Sequence, residues 1–273
     1  MDAPSFLKQH VVKPGDKIAL KDVDPGGAGE VKSKKEARSL ILADHQELIR
    51  LQDVLYAEGK HSLLIVIQAM DTGGKDGVIR HVMSGVNPQG CIVTPFKVPT
   101  AEELAHDYLW RIHKVVPPRR MIGIFNRSHY EDVLVVRVHS LVPKEVWSKR
   151  YDQINAFERH LADNGVTILK FFLHISKAEQ KVRLQDRLDD PNKRWKFSTG
   201  DLKERELWDD YMAAYEDMLN LTSTKWAPWH VIPANRNWYR NLAVGRIIVE
   251  TLQGFDMKYP QPAEKLDGIV IPD

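Results

Sequence analysis

The chain has few of the features that identify several common classes of protein. It carries one cysteine, Cys91, in 273 residues, which excludes an intramolecular disulfide framework and a cysteine-based zinc site. Its 11 histidines are scattered, without the HxxxH or CxxH spacing of zinc ligands. Its formal net charge of +2 is too small to indicate nucleic acid as a partner. An anionic partner would therefore be bound by a local cluster of cations.

Long hydrophobic runs are also missing. No segment approaches the roughly 20 apolar residues that cross a bilayer, and the N-terminal stretch lacks the apolar core of a secretion signal. With a single thiol, these absences predict a cytoplasmic protein without a membrane partner. The 43% apolar content is that of an ordinary globular protein, and the length suits one large α/β domain.

Five short apolar runs alternate with longer stretches of helical periodicity, which is typical of buried parallel strands in an α/β fold. We expect three layers, with helices flanking a five-stranded parallel sheet. A helix is predicted over 33–59, because Glu36 can complete a capping box with Ser33, and another over 100–116, starting at a Thr100 cap. The five runs are SLLIVIQ, CIVTPF, RMIGIF, TILKFFLHI and WHVIPA.

The domain organisation predicted from composition is simple. One domain is expected over 33–260, with an extended arm rich in Gly, Pro, Asp and Lys over 1–32 and a tail over 261–273. Inside the domain, a charged helical pattern breaks at Pro191 and then restarts, which indicates a mobile lid at about 180–205. No internal repeat is visible, so a solenoid fold is disfavoured.

The stretch AMDTGGKDG follows the first predicted strand and precedes a helical pattern, as a phosphate-binding loop does. It departs from the usual pattern at two positions, Ala69 and Asp76, and retains the lysine, Lys75. Such a loop binds anions through inward-pointing backbone N–H groups and the positive end of the following helix. The glycines that allow close approach of phosphate are Gly73, Gly74 and Gly77.

Two acidic residues occupy this loop. Asp71 faces the positive field of the loop, which favours its ionised form beside a divalent cation. Asp76 lies among the phosphate-binding positions, and its side chain is expected to cap the helix that follows. The alternative for the whole stretch is a glycine-rich turn between strand and helix, with a solvated Lys75.

A second motif, FNRSHYED, follows the third predicted strand. Asp132 stands where P-loop enzymes place an acid that holds Mg²⁺. Arg127 and His129 lie at the carboxyl end of the strand, where an open parallel sheet forms its ligand crevice, and are candidates for phosphate or base contacts. Alternatively, Glu131 and Asp132 cap the next helix, since acids favour a helix N-terminus.

A third group of residues is basic and falls in the predicted lid. Cations carried by a lid can offset the charge of a transferring phosphoryl group, and arginine matches phosphate geometry with two hydrogen bonds. The alternative is a solvated helix in which these cations are balanced by neighbouring acids. Arg80, after the loop, could also reach along a phosphate chain. The candidates are Lys181, Arg183, Arg187, Lys193, Arg194 and Lys196.

The segment PANRNWYRN follows the fifth predicted strand and leads into the last helix. Asn235 and Arg236 are expected at the crevice end of the sheet, where they could contact a nucleotide. A capping role for Asn237 is an equally simple interpretation.

Taken together, AMDTGGKDG, VNPQG, FNRSHYEDVLVVRVH, RLDDPNKRWKFS and APWHVIPANRNWYRN resemble the polyphosphate kinase family 2. The resemblance covers roughly residues 33 to 260 and implies a thymidylate-kinase-like P-loop fold. It implies an enzyme that moves phosphoryl groups reversibly between inorganic polyphosphate and nucleotides. The details look most like the short, one-domain class that acts on AMP and ADP to form ADP and ATP.

The resemblance also implies roles for individual residues. Asp71 and Asp132 would be the essential acids that ligate Mg²⁺, for which Mn²⁺ could substitute, while Lys75 and Arg127 would contact the transferring phosphates. Asn87, in VNPQG, would help to hold the nucleotide, with guanine nucleotides as further candidates. A homodimer or homotetramer is expected. The polyphosphate path or lid would be lined by Arg80, Arg183, Arg187, Lys193, Arg194 and Lys196.

Two other functions remain open at the level of sequence. A nucleotide kinase that uses ATP as donor would share the fold and most of the site. A P-loop protein that regulates a partner through its nucleotide state is the other, although the chain has no guanine-recognition motif of the NKxD kind.

Overall fold

The computed structural model describes residues 5–272, so the first four residues of the predicted arm and the last residue of the predicted tail lie outside the described residues. Within this range six strands form a single sheet. The strands are β1 (Val11–Val12), β2 (Ser62–Gln68), β3 (Cys91–Pro95), β4 (Ile122–Asn126), β5 (Val166–His174) and β6 (Trp229–Pro233). Their order across the sheet is β1-β6-β5-β2-β4-β3.

Twelve α-helices accompany the sheet in the described part of the chain, and several of them are single turns. None of the helices between residues 5 and 272 is long and apolar enough to cross a membrane. The helices are α1 (Phe6–Gln9), α2 (Lys34–Glu58), α3 (Lys75–Val82), α4 (Ala101–Leu104), α5 (Trp110–His113), α6 (Val135–Val138), α7 (Lys144–Trp147), α8 (Arg150–Asp163), α9 (Lys177–Asp189), α10 (Gly200–Glu206), α11 (Trp208–Thr222) and α12 (Asn237–Gln253).

The five predicted parallel strands are confirmed as β2 to β6. Strand β2 lies at the centre, hydrogen-bonded in parallel to β5 on one side and to β4 on the other. All seven residues of β2 are buried, which explains why residues 63–67 form an unbroken apolar run instead of an alternating pattern. Each remaining predicted run likewise contains one parallel strand.

The sixth strand, β1, lies in the region predicted as an extended arm, and it pairs with β6 in the antiparallel direction. The helix before it, α1, is fixed to α12 by one carboxylate. Glu250 accepts hydrogen bonds from the hydroxyl of Ser5 at 2.7 Å and from the backbone N–H of Phe6 at 3.1 Å. This part of the arm therefore packs on the domain through pairings to distant residues, which its composition did not indicate.

Two groups of helices cover the sheet and give the expected three layers. Helix α12 packs against α2 and α3, whereas α8 packs against α11, which also contacts α6. Both α12 and α8 contact strand β5. The largest side chains enclosed in the core include Trp229, Tyr130 and Tyr239, which are almost completely inaccessible to solvent.

The helix predicted over 100–116 is wrong, because this segment forms only the single turns α4 and α5. Thr100 and Glu103 do form the predicted capping box. The Asp107 carboxylate accepts a hydrogen bond from the backbone N–H of Leu109 at 3.0 Å. This local bond offers the backbone an alternative to the helical pattern, and the chain turns between the two short helices.

The helix predicted over 33–59 is confirmed as α2, with Ser33 as its N-cap. The Ser33 hydroxyl accepts a hydrogen bond from the Glu36 N–H at 3.2 Å. The return bond of the predicted capping box is displaced, since the Glu36 carboxylate accepts from the N–H of Lys32 at 3.0 Å. Both bonds therefore form at the N-terminus of α2, but the return bond reaches the residue before Ser33 instead of Ser33 itself.

The strand order places a crevice beside β2. Strands β3 and β4 lie on one side of β2, and strands β5 and β6 lie on the other. In an open parallel sheet, the loops that leave the carboxyl ends of strands on either side of such a point form the ligand site. Here those loops are the glycine-rich segment after β2, the segment from Arg127 after β4, and the start of α9 after β5.

Candidate active site

The glycine-rich loop is a tight turn whose backbone conformation depends on its glycines. Thr72 and Gly74 have left-handed backbone conformations, with φ of 62° and 101°. The N–H of Gly73 donates to the carbonyl of Met70 at 2.9 Å, which closes the turn. A methyl group on Gly73 would lie 2.5 Å from the Cβ of Ala69 and 2.8 Å from the Met70 oxygen. Gly73 is therefore required because the chain folds back on itself there.

Lys75 opens α3 and sends its side chain back under the loop. Its ammonium donates to the carbonyls of Ala69 at 2.8 Å and Met70 at 3.4 Å. Burial, and after it the positive charge of Arg127, lowers the pKa of Lys75 to about 8, while the charge of Asp71 opposes the shift. An anion bound in the loop would favour the charged form of this lysine.

Arg127 joins two acids at the mouth of the loop. Its guanidinium donates to Asp71 Oδ1 at 2.7 Å and to Glu131 Oε2 at 3.1 Å. The charge of Glu131, followed by that of Asp71, raises the pKa of Arg127 against the opposing effect of burial. Arg127 also has a left-handed backbone, with φ of 62°, and its N–H donates to the Ile67 carbonyl of β2 at 3.2 Å. The strained turn thus aims a cation at the loop.

Asp132 lies in a different environment from Asp71. Its Oδ1 accepts a hydrogen bond from Arg150 at 2.7 Å, and the Arg150 guanidinium lies 4.7 Å from the centre of the Tyr108 ring. Burial raises the pKa of Asp132 to about 6, although Arg150 opposes the shift. Within residues 5–272 no hydrogen bond or ion pair joins Asp132 to Asp71 or Arg127. The acid that shares Arg127 with Asp71 is Glu131, which the sequence suggested only as a helix cap.

The capping role predicted for Asp76 is wrong. The N-cap of α3 is Gly74, and Asp76 lies inside the first turn. Its carboxylate accepts a hydrogen bond from the Asn126 side chain at 2.8 Å. Asp76 therefore connects the helix after the loop to the end of β4, and its role in phosphate binding stays a prediction.

His129 lies in the core and not at the crevice surface. Its side chain is 1% exposed, and its Nε2 lies 3.1 Å from Glu158 Oε1. Glu158 also accepts hydrogen bonds from Lys170 at 2.6 Å and from the Tyr130 hydroxyl at 2.8 Å. The nucleotide contact suggested for His129 has no support in this position, because the ring belongs to a buried polar network.

The capping role considered for Asn237 also fails, since the residue at the N-cap of α12 is Arg236. Asn237 Oδ1 instead accepts a hydrogen bond from Arg240 at 2.8 Å. Asn235 Oδ1 accepts from the N–H of Ser176 at 3.0 Å, so this side chain joins the ends of β6 and β5.

Arg183 is engaged with the backbone around the loop. Its guanidinium donates to the carbonyls of Thr72 at 3.0 Å and Ala234 at 2.6 Å, and its Nε donates to Glu179 at 2.8 Å. One turn earlier, the buried Gln180 donates to the Asp71 carbonyl at 3.1 Å. Helix α9 thus holds two consecutive carbonyls of the phosphate loop from behind.

The other cations of the predicted lid mostly stabilise the lid itself. Arg187 donates to the Lys196 carbonyl and to Asp201, both at 3.2 Å. Arg194 donates to the Leu188 carbonyl at 2.8 Å, and the pair Lys193 and Asp190 lies at 2.9 Å.

Three further candidates lie at exposed positions. The Lys196 ammonium lies 5.0 Å from the centre of the Trp195 ring. Arg80 is exposed on α3. Asn87 is also exposed, and its side chain accepts a hydrogen bond from the Gln89 N–H at 3.0 Å. Their predicted contacts with polyphosphate or nucleotide stay predictions.

The acids of the loop suit a metal that is held mainly by its substrate. No group of three or more His, Cys, Asp or Glu side chains suited to a metal occurs among residues 5–272. Mg²⁺ commonly binds one or two carboxylates and completes its shell with water and phosphate oxygens. Asp71 fits that mode, since Arg127 engages one of its oxygens and its side chain is 23% exposed.

Sequence reasoning missed three residues that the fold brings to this site. Glu131 shares Arg127, Gln180 holds the Asp71 carbonyl, and Arg240 of α12 packs beneath Gly74. For Gln180 a signal existed, because it lies three residues before Arg183 and therefore on the same helix face. For Arg240 no spacing in the sequence indicated the contact.

A glycine-rich loop, its lysine and an arginine-bridged acid at the crevice of a parallel α/β sheet together define a P-loop kinase-like protein. Residues 31–260 match the family model described as Polyphosphate kinase 2 (PPK2). The chain therefore belongs to the polyphosphate kinase 2 family, as the motifs predicted.

Named relatives agree with this assignment. The chain is 58% identical over 266 residues to an AMP/ADP-polyphosphate phosphotransferase of Meiothermus ruber, covering 97% of this chain and all of the relative. It is 47% identical over 270 residues to an ADP-polyphosphate phosphotransferase of Rhodopseudomonas palustris, covering 93% and 92% of the two chains. Its fold matches the crystal structure of polyphosphate kinase 2 from Arthrobacter aurescens with a TM-score of 0.94 at 45% identity, over 97% and 94% of the two chains.

Proposed function

We propose that this protein transfers phosphoryl groups from inorganic polyphosphate to AMP and ADP, forming ADP and ATP, in a reversible reaction that depends on Mg²⁺. The observation that carries the proposal is the contact between Asp71 and Arg127 at the mouth of the phosphate loop. It joins a carboxylate, the kind of ligand that Mg²⁺ prefers, to a cation of the kind that binds phosphate. The names of the relatives from Meiothermus ruber and Rhodopseudomonas palustris, which include polyphosphate as a substrate, support the choice of donor.

The main obstacle to such a reaction is repulsion between two polyanions. The charges of Lys75 and Arg127 lie near enough to act on each other, and together they would supply positive charge to the donor and acceptor phosphates. A preorganised cluster of this kind lowers the barrier by stabilising charge on the transferring group. Bound Mg²⁺, or Mn²⁺ in its place, would contribute further neutralisation beside Asp71.

The proposed transfer breaks the bond between the terminal phosphorus of polyphosphate and its bridging oxygen. A new bond forms from that phosphorus to a phosphate oxygen of AMP or ADP, and the shortened polyphosphate leaves with the bridging oxygen as an anion. Because the accepting oxygen is largely ionised near neutral pH, no strong general base is required. We therefore assign Asp71 to metal placement and not to proton abstraction.

Asp132 has a separate role in this proposal. It fixes Arg150 against the Tyr108 ring, in a second charged cluster that follows the same strand as Arg127. We propose that this cluster orients the accepting nucleotide, so that Asp132 is essential through Arg150 and not only through a metal.

The test is a matrix of donors and acceptors with the purified chain. AMP, ADP and GDP are each incubated with Mg²⁺ and either long-chain polyphosphate or ATP, and nucleotide products are separated by chromatography. We expect ADP and ATP to form from AMP with polyphosphate, and product formation to stop when EDTA removes the metal. Phosphorylation of AMP only when ATP is the donor would replace the proposal with an ordinary nucleotide kinase.

A further inference from the structure

Arg240, on the first turn of α12, is a buried cation whose charge is not balanced by an acid. The residue is 3% exposed. Its guanidinium donates to the side-chain oxygens of Asn237 and Asn241, each at 2.8 Å at the shortest. No carboxylate of residues 5–272 forms an ion pair with it. A buried charge is normally paired, so an arginine held only by neutral amides requires an explanation.

The guanidinium of Arg240 lies directly against the phosphate loop. A methyl group on Gly74 would collide with Nη1, and a methyl group on Gly77 would lie 2.9 Å from Nη2. Two glycines of the loop motif therefore make room for this side chain. Gly74 is also the N-cap of α3, so Arg240 packs beside the positive end of that helix.

This arrangement brings like charges together. Burial, and after it the positive charge of Arg183, lowers the pKa of Arg240 to about 10. Lys75 and the N-terminus of α3 add positive potential to the same loop. The position that would relieve this repulsion is the inner face of the loop, where a phosphate chain would be bound.

We propose that Arg240 is a positioning residue that packs against Gly74 and Gly77 of the phosphate loop and attracts the bound phosphate chain with an unbalanced buried charge. Its contacts with the loop are at Gly74 and Gly77, so we place its effect on the phosphate chain through the loop. The inference rests on the proposed function only in requiring that the loop binds a phosphate chain.

A purely structural role would give a different result from the proposed one. If Arg240 serves only to pack the loop, its removal destabilises the free protein and leaves the affinity for phosphate unchanged. If its charge serves the ligand, removal relieves repulsion in the free protein and weakens binding. The second result separates the two roles, since stability and affinity then change in opposite directions.

The experiment compares Arg240→Met and Arg240→Lys with the unmodified chain. Thermal unfolding without ligand gives stability, and titration calorimetry with inorganic tripolyphosphate gives affinity. We expect Arg240→Met to unfold at the same or a higher temperature, while its affinity falls roughly tenfold, the order expected for one charge acting over about 10 Å at an effective dielectric of about 20. Arg240→Lys should retain most of the affinity.

Arg246→Met provides a matched control on the same helix. Arg246 is paired with the buried Asp44 at 2.8 Å, so its removal leaves that acid without a partner. We expect this control to unfold at a lower temperature and to bind tripolyphosphate normally.

Two results would overturn the inference. An Arg240→Met variant that unfolds early, like the control, and binds tripolyphosphate normally would assign Arg240 to packing alone. If that variant does not fold, a tenfold loss of affinity in Arg240→Lys would equally show that the charge is not what matters. A wild-type chain that fails to bind tripolyphosphate would instead refute the proposed function, which keeps the two failures distinct.

Discussion

Two buried cations in this molecule differ in whether an acid balances their charge. Lys170, in the core on β5, donates to Glu158 at 2.6 Å and to the Tyr130 hydroxyl at 2.7 Å, and its side chain is fully buried. Arg240, beside the phosphate loop, forms side-chain hydrogen bonds only to two asparagines among residues 5–272. Burial lowers the pKa of both side chains, but only Lys170 has an acid that opposes the shift. The charge of Lys170 is therefore neutralised within the fold, whereas the charge of Arg240 remains available to a ligand.

The largest effect should come from breaking the ion pair between Lys170 and Glu158. Glu158→Gln would leave Lys170 buried without a counter-charge, and we expect a loss of about 3–5 kcal/mol in the free energy of unfolding. Urea denaturation measures it. The double variant Glu158→Leu with Lys170→Met should recover most of that loss, because it removes both charges. If the single variant were as stable as the wild type, the pair would not contribute to the stability of the fold.

In the phosphate-loop region, Asp71→Asn should abolish most activity while leaving the fold intact. We expect turnover with polyphosphate and ADP to fall by about 10²–10³-fold, the order seen when one preorganised polar group is removed from an active site. The measurement is initial rate across a range of Mg²⁺ concentrations. Asp217→Asn, at an acid that pairs with Arg137 and is half exposed, serves as the control. Near-normal turnover with full Mg²⁺ dependence would show that metal placement by Asp71 is wrong.

Arg183 is intermediate between Lys170 and Arg240. It lies near the site, and its guanidinium donates hydrogen bonds to backbone carbonyls of the protein. Arg183→Met would release the carbonyls of Thr72 and Ala234, and we expect a loss of about 1.5–3 kcal/mol in unfolding free energy together with slower turnover. Arg159→Met, which removes an exposed pair with Asp163, should change neither quantity much. A variant that loses activity without losing stability would place Arg183 in direct contact with phosphate.

The smallest effect concerns pH. Burial raises the pKa of Asp132 in the folded protein to about 6, above its ordinary value, so the folded state holds a proton that the unfolded state releases. Stability should therefore be greatest below about pH 4 for this group and fall by about 2 kcal/mol as pH rises to 6. The unfolding free energy of Asp132→Asn, measured over that range, should lack this decline. A parallel pH dependence in both proteins would show that Asp132 does not cause it.

The parallel strands and the loop motif were predictable because their signals are local. A continuous run such as SLLIVIQ needs only its own composition to indicate a buried strand, and Gly73, Gly74 and Lys75 stand next to one another in the chain. Capping by Ser33 and Thr100 was equally local. The helix expected over 100–116 failed because one side-chain bond at Asp107 competed with the helical pattern.

The roles of individual acids and cations were less accessible. Asp132 and Glu131 are neighbours in sequence, yet Arg150 engages the first and Arg127 engages the second. The pairing of these acids with these arginines depends on the left-handed turn at Arg127 and on the position of α8. The sequence motif predicts neither of them. His129 was assigned to the crevice by position, but its ring turns into the core toward Glu158.

By itself, the sequence determined the class of fold, the position of the phosphate loop and the family, because each depends on residues close together in the chain. Only the tertiary structure decided that Glu131 shares Arg127 with Asp71, that α9 holds the loop from behind, and that Arg240 lies beneath Gly74. Those contacts join segments more than 50 residues apart in most cases, as in the bonds from Arg127 to Asp71 and from Gln180 to Asp71. Their partners are selected by packing and by the energetic demands of buried charge, which no local pattern records.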